Sequence, residues 1–262
     1  MTIEKRLLSL FALLALSIMG VVSPRAVLGQ DFSDDFMFHA PKATVSFNIG
    51  YGIPGAGSDL FDEVTDMFTL GKSDFRAPLI GGGLSIFLKD RIDLAFEFSY
   101  ASSSAWSSYA TGLPAIDERP IEHDTHFTRV PVTASFKYFL MDRGRQIGNL
   151  SWIPTEWAPY IGFGGGGMFY EFGESGEFID EQHVECETLG CPIFHGDYLS
   201  KGWAWVGHAF GGLQWALSPQ WIVTVEGRYS LSDADLDRPA YVDYEPIDLS
   251  GFQGTVGFGI RF

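Results

Sequence analysis

The sequence predicts an all-β fold, an eight-stranded antiparallel up-and-down transmembrane β-barrel. Three observations carry that prediction. Apolar and polar residues alternate with a period of two in eight separate segments. Long polar links alternate with links that are mostly short, as in a chain that meanders through a membrane. Behind a short apolar leader, no run approaches the roughly 20 residues that a membrane-crossing helix needs.

The leader comes first. Lys5 and Arg6 precede an apolar run from Leu7 to Val22, and Val27-Leu28-Gly29 offers small residues before Gln30. A positive head, an apolar middle and a small-residue exit predict a signal peptide over residues 1–29. Residues 30–262, about 233 in number, then form one β domain. The leader carries Lys5, Arg6 and Arg25 against Glu4, a net of +2, so the formal −16 becomes about −18 after cleavage. Such acidity speaks against nucleic acid as a partner, which selects basic patches.

The strands follow in order. Val45, Phe47, Ile49 and Tyr51 share one face of the first, opposite Ser46, Asn48 and Gly50. The second spans Ala77 to Leu88, with Leu84, Ile86 and Leu88 alternating with Gly83 and Ser85, and Lys89-Asp90-Arg91 then turns the chain. In the third, Ile92, Leu94, Phe96, Phe98 and Tyr100 oppose Asp93, Ala95, Glu97 and Ser99. The fourth, from about Thr128 to Leu140, sets Val130, Val132, Phe136 and Tyr138 against Arg129, Thr133, Ser135 and Lys137.

The fifth strand, Pro159 to Phe172, contains Gly164-Gly165-Gly166-Gly167, which leaves its facing open. The sixth, Gly202 to Leu217, places Trp203, Trp205 and Trp215 against His208 and Gln214. Ser218-Pro219-Gln220 turns into the seventh, where Trp221, Val223, Val225 and Tyr229 oppose Thr224, Glu226 and Arg228. The eighth sets Phe252, Val256, Phe258, Ile260 and Phe262 against Gln253, Thr255 and Arg261. No helix is needed to explain the pattern. The long links are 54–76, 103–126, 173–200 and 232–248, and they hold most of the acidic residues. Link 141–158 is the one inner connection longer than an ordinary turn.

A water-soluble barrel would bury the apolar face, and a membrane barrel exposes it. The apolar leader, the aromatic last residue Phe262, the tryptophans on the apolar faces and the small residues opposite them all favour the membrane. The interior then receives Asp93, Glu97, Arg129, Lys137, Glu226, Arg228 and Arg261. An unpaired buried charge costs several kcal/mol, so these residues are expected to form an interior salt-bridge network. In an exported chain, Cys186 and Cys191 are expected to form a disulfide worth roughly 2 kcal/mol.

Three segments resemble small bacterial outer-membrane β-barrels of the OmpX-like, OmpW-like and OmpA transmembrane-domain kind. They are Pro159-Tyr160-Ile161-Gly162-Phe163-Gly164, Val225-Glu226-Gly227-Arg228-Tyr229-Ser230 and Gly257-Phe258-Gly259-Ile260-Arg261-Phe262. The resemblance implies the bacterial outer membrane, with its lipids and lipopolysaccharide as partners. It also implies that Phe258, Ile260 and Phe262 form the C-terminal signal read by the outer-membrane assembly machinery.

No catalytic, metal or cofactor-binding residue is assigned. Barrel-type lipid A deacylases carry a His-x-Ser arrangement, and none of the six histidines here has Ser two places later. His123-Asp124-Thr125-His126 reads as a solvated loop, and His208 as a hydrogen-bonded interior histidine. Asp233-Ala234-Asp235-Leu236-Asp237 fails the EF-hand pattern, since the sixth and twelfth places hold Arg238 and Tyr244. Two function classes follow: a structural or surface-interaction protein with long acidic extracellular loops and an unidentified surface ligand, or a narrow channel for small or hydrophobic molecules. A lipid-modifying enzyme is the lesser reading.

Overall fold

A computed structural model describes residues 36–109, 122–148, 151–179, 193–237, 241–242 and 244–262. The leader and the Cys186–Cys191 pair lie outside the described residues. Eight strands form the barrel: β1 (Ala43–Pro54), β2 (Ala77–Lys89), β3 (Ile92–Ser108), β4 (Glu122–Phe139), β5 (Trp157–Ile179), β6 (Ile193–Ala216), β7 (Trp221–Leu231) and β8 (Gly251–Arg261). Each pairs antiparallel with its neighbour in sequence, and β1 pairs with β8 from Thr44↔Arg261 to Pro54↔Gly251. That last ladder closes the ring, so every strand within it has a partner on both sides. A bilayer has no water to satisfy an open edge, and closure removes the need.

The predicted faces set which way each side chain points. Phe47, Phe163, Trp205, Val225 and Phe258 are exposed on the outer wall. Trp157 stacks on Trp215 at 5.0 Å and Trp221 on Phe258 at 4.9 Å near the short-turn end. Such paired aromatics suit a membrane interface, where one ring edge meets lipid and the other water. Ser135, Thr133, Gln253 and Arg261 are buried inside.

The facing of the glycine-rich β5 is resolved. Tyr160, Met168, Tyr170 and Phe172 point inward and are buried, while Ile161 and Phe163 are exposed outside. Glycine at position 162 is a packing requirement, because a Cβ there would collide with the Phe210 ring.

The links differ from the expected loops in three ways. Within link 54–76 lies a helix, α1 (Asp59–Met67), followed by a 3-10 turn at Lys72–Phe75. The chain does need a helix after all, because Leu60, Phe61 and Val64 share one apolar helical face and bury it. The described parts of links 103–126 and 173–200 are almost all strand: the β3–β4 ladder continues to Ser108↔Glu122, and β5–β6 to Ile179↔Ile193. In contrast β2 leaves β3 at Leu79↔Ala101, and β7 leaves β6 at Gly207↔Leu231. Strands β3 to β6 therefore run on past the ring as a four-stranded sheet at the long-loop end. Link 141–158 folds into a hairpin pairing Gly144–Ile147 with Ser151–Pro154.

Candidate functional site

The interior is built in three layers, and the middle one holds most of the predicted charges. Arg228 donates to Glu226 Oε1 at 2.9 Å and pairs with Glu97 across the lumen. Tyr160 donates its hydroxyl to Glu226 Oε2 at 3.0 Å, and Lys137 Nζ lies 4.0 Å from the same oxygen. Two carboxylates thus meet two cations, so the cluster is formally neutral. Lys137 also sits 4.3 Å above the Tyr160 ring, and Arg228 lies 4.8 Å from the Phe210 ring. Nearby, Ser135 Oγ and His208 Nε2 are 2.8 Å apart, both buried. Polar cavities of about 30 Å³ flank the cluster, lined by residues such as Asn48, Glu97, Glu226 and Thr255. Each has room for one or two waters.

The layer at the short-turn end comes from link 141–158. Arg143 reaches Asp93 Oδ1 at 2.7 Å and donates to the Lys89 and Asp90 carbonyls at 3.0 and 3.2 Å. Its guanidinium lies 3.8 Å from the Phe87 ring and 4.6 Å from Phe139. Trp152 packs on Gly144, where a Cβ would collide with the indole. Met37 and Trp152 exchange backbone hydrogen bonds of 3.0 and 2.7 Å, which bring the segment before β1 under the same mouth. Both side chains are buried.

The layer at the long-loop end is aromatic. Phe61, on α1, is 0% exposed and packs edge-on against Phe75, Phe127 and Phe172 at 5.0, 5.5 and 5.7 Å. Ile247 and Leu249, from the link between β7 and β8, complete the cluster. The two links are tied together: Asp248 Oδ2 accepts from the Gly57 N–H at 3.0 Å, and Asp59 Oδ2 from the Glu245 N–H at 3.0 Å. Burial, then the Glu174 charge, raises the Tyr241 phenol above the ordinary tyrosine range, and burial with Glu63 does the same to Tyr244.

Not every predicted charge joins the network. Arg129 donates to the Leu249 carbonyl at 3.4 Å and lies over the Phe127 ring at 5.3 Å, with no carboxylate in ion-pair contact among the described residues. Arg261 likewise meets the Pro219 carbonyl at 3.5 Å and the Trp152 ring at 5.4 Å. Both arginines end in a plug, where carbonyls and ring faces stand in for carboxylates. Asp93 takes its partner from Arg143, which the strand pattern assigned to a link.

His123 also departs from the solvated loop expected of it. It is 0% exposed on β4, stacked on Phe68 at 4.1 Å, with Glu174 Oε1 3.4 Å from its Nε2. Phe258, Ile260 and Phe262 all lie exposed on the outer wall.

The Ser135–His208 pair has a nucleophile and a base in contact. It faces no solution, and no acid bonds to His208 Nδ1 among the described residues. Those residues also contain no group of three metal-ligating side chains.

No protein-family profile and no curated protein sequence matches the chain. Similar solved structures include the outer membrane protein OprG from Pseudomonas aeruginosa, at 15% identity and a TM-score of 0.42, covering 86% of this chain and 97% of that one. Outer Membrane Protein W of E. coli gives 16% identity and a TM-score of 0.41, over 86% of this chain and 100% of that one. The protease OmpT of Escherichia coli gives 14% and 0.31, over 90% of this chain and 99% of that one.

Proposed function

We propose that this is a sealed outer-membrane barrel whose work is done at its outer surface, with the long links and the protruding sheet facing the exterior. One observation supports the reading: three layers of buried side chains lie in series along the lumen. Phe61 and its aromatic partners fill one mouth. The Arg228–Glu97–Glu226–Lys137 cluster spans the middle, and Arg143 with Trp152 fills the other mouth. The polar cavities beside the middle cluster, about 30 Å³ each, hold a water or two. A protein built to conduct has no use for three barriers in a row.

Surface presentation fits the rest of the chain. The apolar wall takes up outer-membrane lipid, the acidic outer links meet lipopolysaccharide and the medium, and the outward aromatics of β8 serve the assembly machinery. Neither catalysis nor a cofactor enters this reading. Planar-bilayer recording of the refolded full chain tests it. The intact protein is expected to give no steady conductance. A variant lacking Gly144–Pro154 and carrying Phe61→Ala and Arg228→Ala serves as the opened control. A steady, solute-selective current through the unaltered protein would reverse the reading in favour of a narrow channel.

A further inference from the structure

Arg261 carries a donor edge that the protein leaves unanswered. Its side chain is 2% exposed, inside the ring at the short-turn end. Nη1 reaches the Pro219 carbonyl at 3.5 Å, and the guanidinium carbon lies 5.4 Å from the Trp152 ring. Neither contact uses Nε or Nη2, and both atoms are buried without a hydrogen-bond partner among the described residues. Nε–H and Nη2–H point the same way, along one edge of the planar guanidinium. Arginine grips anions through such an edge, with two donors side by side.

Thr44 stands beside it. Thr44 and Arg261 are directly paired in the β1–β8 ladder, and both are buried within the lumen. Side chains paired in this way lie about 4.5–5.5 Å apart at Cβ. The Thr44 hydroxyl is also buried with no partner among the described residues. A hydroxyl turns to donate where an acceptor is offered. Three buried donors on two adjacent strands therefore lack an acceptor.

Charge decides between a water and an ion. The charged neighbours of Arg261 are Arg143 and Asp93, and Asp93 is committed to Arg143 at 2.7 Å. The middle cluster is neutral by itself and has no charge to lend. Two guanidinium groups thus share one carboxylate, which leaves an excess of one positive charge. A buried charge without a counter-charge is strongly unfavourable. A water would accept the hydrogen bonds and leave the charge, whereas a monovalent anion answers both. Thr44 and Asp93 line a polar cavity of about 30 Å³, the scale of a single-atom ion.

We infer that Arg261 and Thr44 bind one chloride ion at the short-turn mouth, through Arg261 Nε–H and Nη2–H and the Thr44 hydroxyl. The ion neutralises the layer that Arg143 and Asp93 leave positive. It also links β1 to β8, the two strands that close the ring.

The test unfolds the detergent-refolded full chain with urea in sodium chloride and in sodium gluconate at equal ionic strength. A ligand that binds only the folded state raises stability by mass action. The urea midpoint is expected to rise with chloride concentration and reach a plateau, and bromide should act likewise. Thr44→Val keeps the shape and removes one donor, so about tenfold more chloride should be needed for half the rise. Arg261→Met should abolish the rise. Crystals of the full chain grown in bromide should show its anomalous signal beside Arg261 Nε and Thr44 Oγ1.

A midpoint indifferent to the anion, a chloride dependence that survives Arg261→Met, or a water without anomalous signal at that edge would each overturn the inference.

Discussion

Arg143 and Asp93 form an ion pair of 2.7 Å at the short-turn mouth, with both side chains almost wholly out of solvent. The pair fixes the 141–158 hairpin to β3. Removing one member leaves the other charged and buried, which costs about 3–5 kcal/mol. Arg143→Ala is therefore expected to lower the urea midpoint of the detergent-refolded barrel strongly. The double variant Arg143→Met/Asp93→Leu should recover most of the loss, since neither charge is then stranded.

At the opposite mouth the same reasoning applies to packing. Phe61 is buried among Phe75, Phe127 and Phe172, and Phe61→Ala leaves a cavity there at a cost of about 3–5 kcal/mol. The eight-stranded ring does not depend on α1, so the loss should be local. Hydrogen exchange should quicken across Asp59–Met67 while the β1–β8 ladder keeps its protection.

Tyr241 and Tyr244 make the outer plug sensitive to alkali. Their phenol pKa values are raised in the folded state by burial and by Glu174 and Glu63 respectively. The resulting stability is fully present below the unfolded value of about 10 and is lost as the pH climbs toward the folded value. Loosening of the outer plug should begin above about pH 10 and be accompanied by phenolate absorbance. Tyr241→Phe/Tyr244→Phe should remove most of that pH dependence.

In the middle layer, Arg228→Leu strands Glu97 and leaves Glu226 only Tyr160 and Lys137, and should destabilise by about 3 kcal/mol or more. Tyr160→Phe removes one hydrogen bond to Glu226, which keeps Arg228, and should cost about 1 kcal/mol. Urea unfolding of the two variants side by side gives both values.

How much of this was legible in the sequence follows from where water lies. Inside the ring each strand has one wet or ionic face and one apolar face, so Phe47, Phe96 and Val225 announce their orientation by alternation alone. Beyond the ring both faces of the sheet meet water or the plug, and Ser102-Ser103-Ser104 and Glu171 to Glu177 carry no alternation, so strand there reads as loop. The glycines of β5 hid its facing because they leave no side chain to read: Gly162 makes room for the Phe210 ring, and Gly164 and Gly166 lie against the β4 backbone. Helix α1 had a signal: Ser58 before Asp59 and Asp62, with Leu60, Phe61 and Val64 on one face. Arg143 had none, since its pairing with Asp93 is a long-range contact from within a link.

Every layer of the account depends on which side of the wall meets the bilayer. Spin labels placed one at a time at Ile222, Val223, Thr224 and Val225, in a background with Cys186 and Cys191 replaced by serine, measure it directly. Collision with lipid-soluble oxygen is predicted to be frequent at Val223 and Val225 and rare at Ile222 and Thr224, with a water-soluble nickel chelate reaching none of them. Free access of the chelate to Val223 and Val225 would contradict the account.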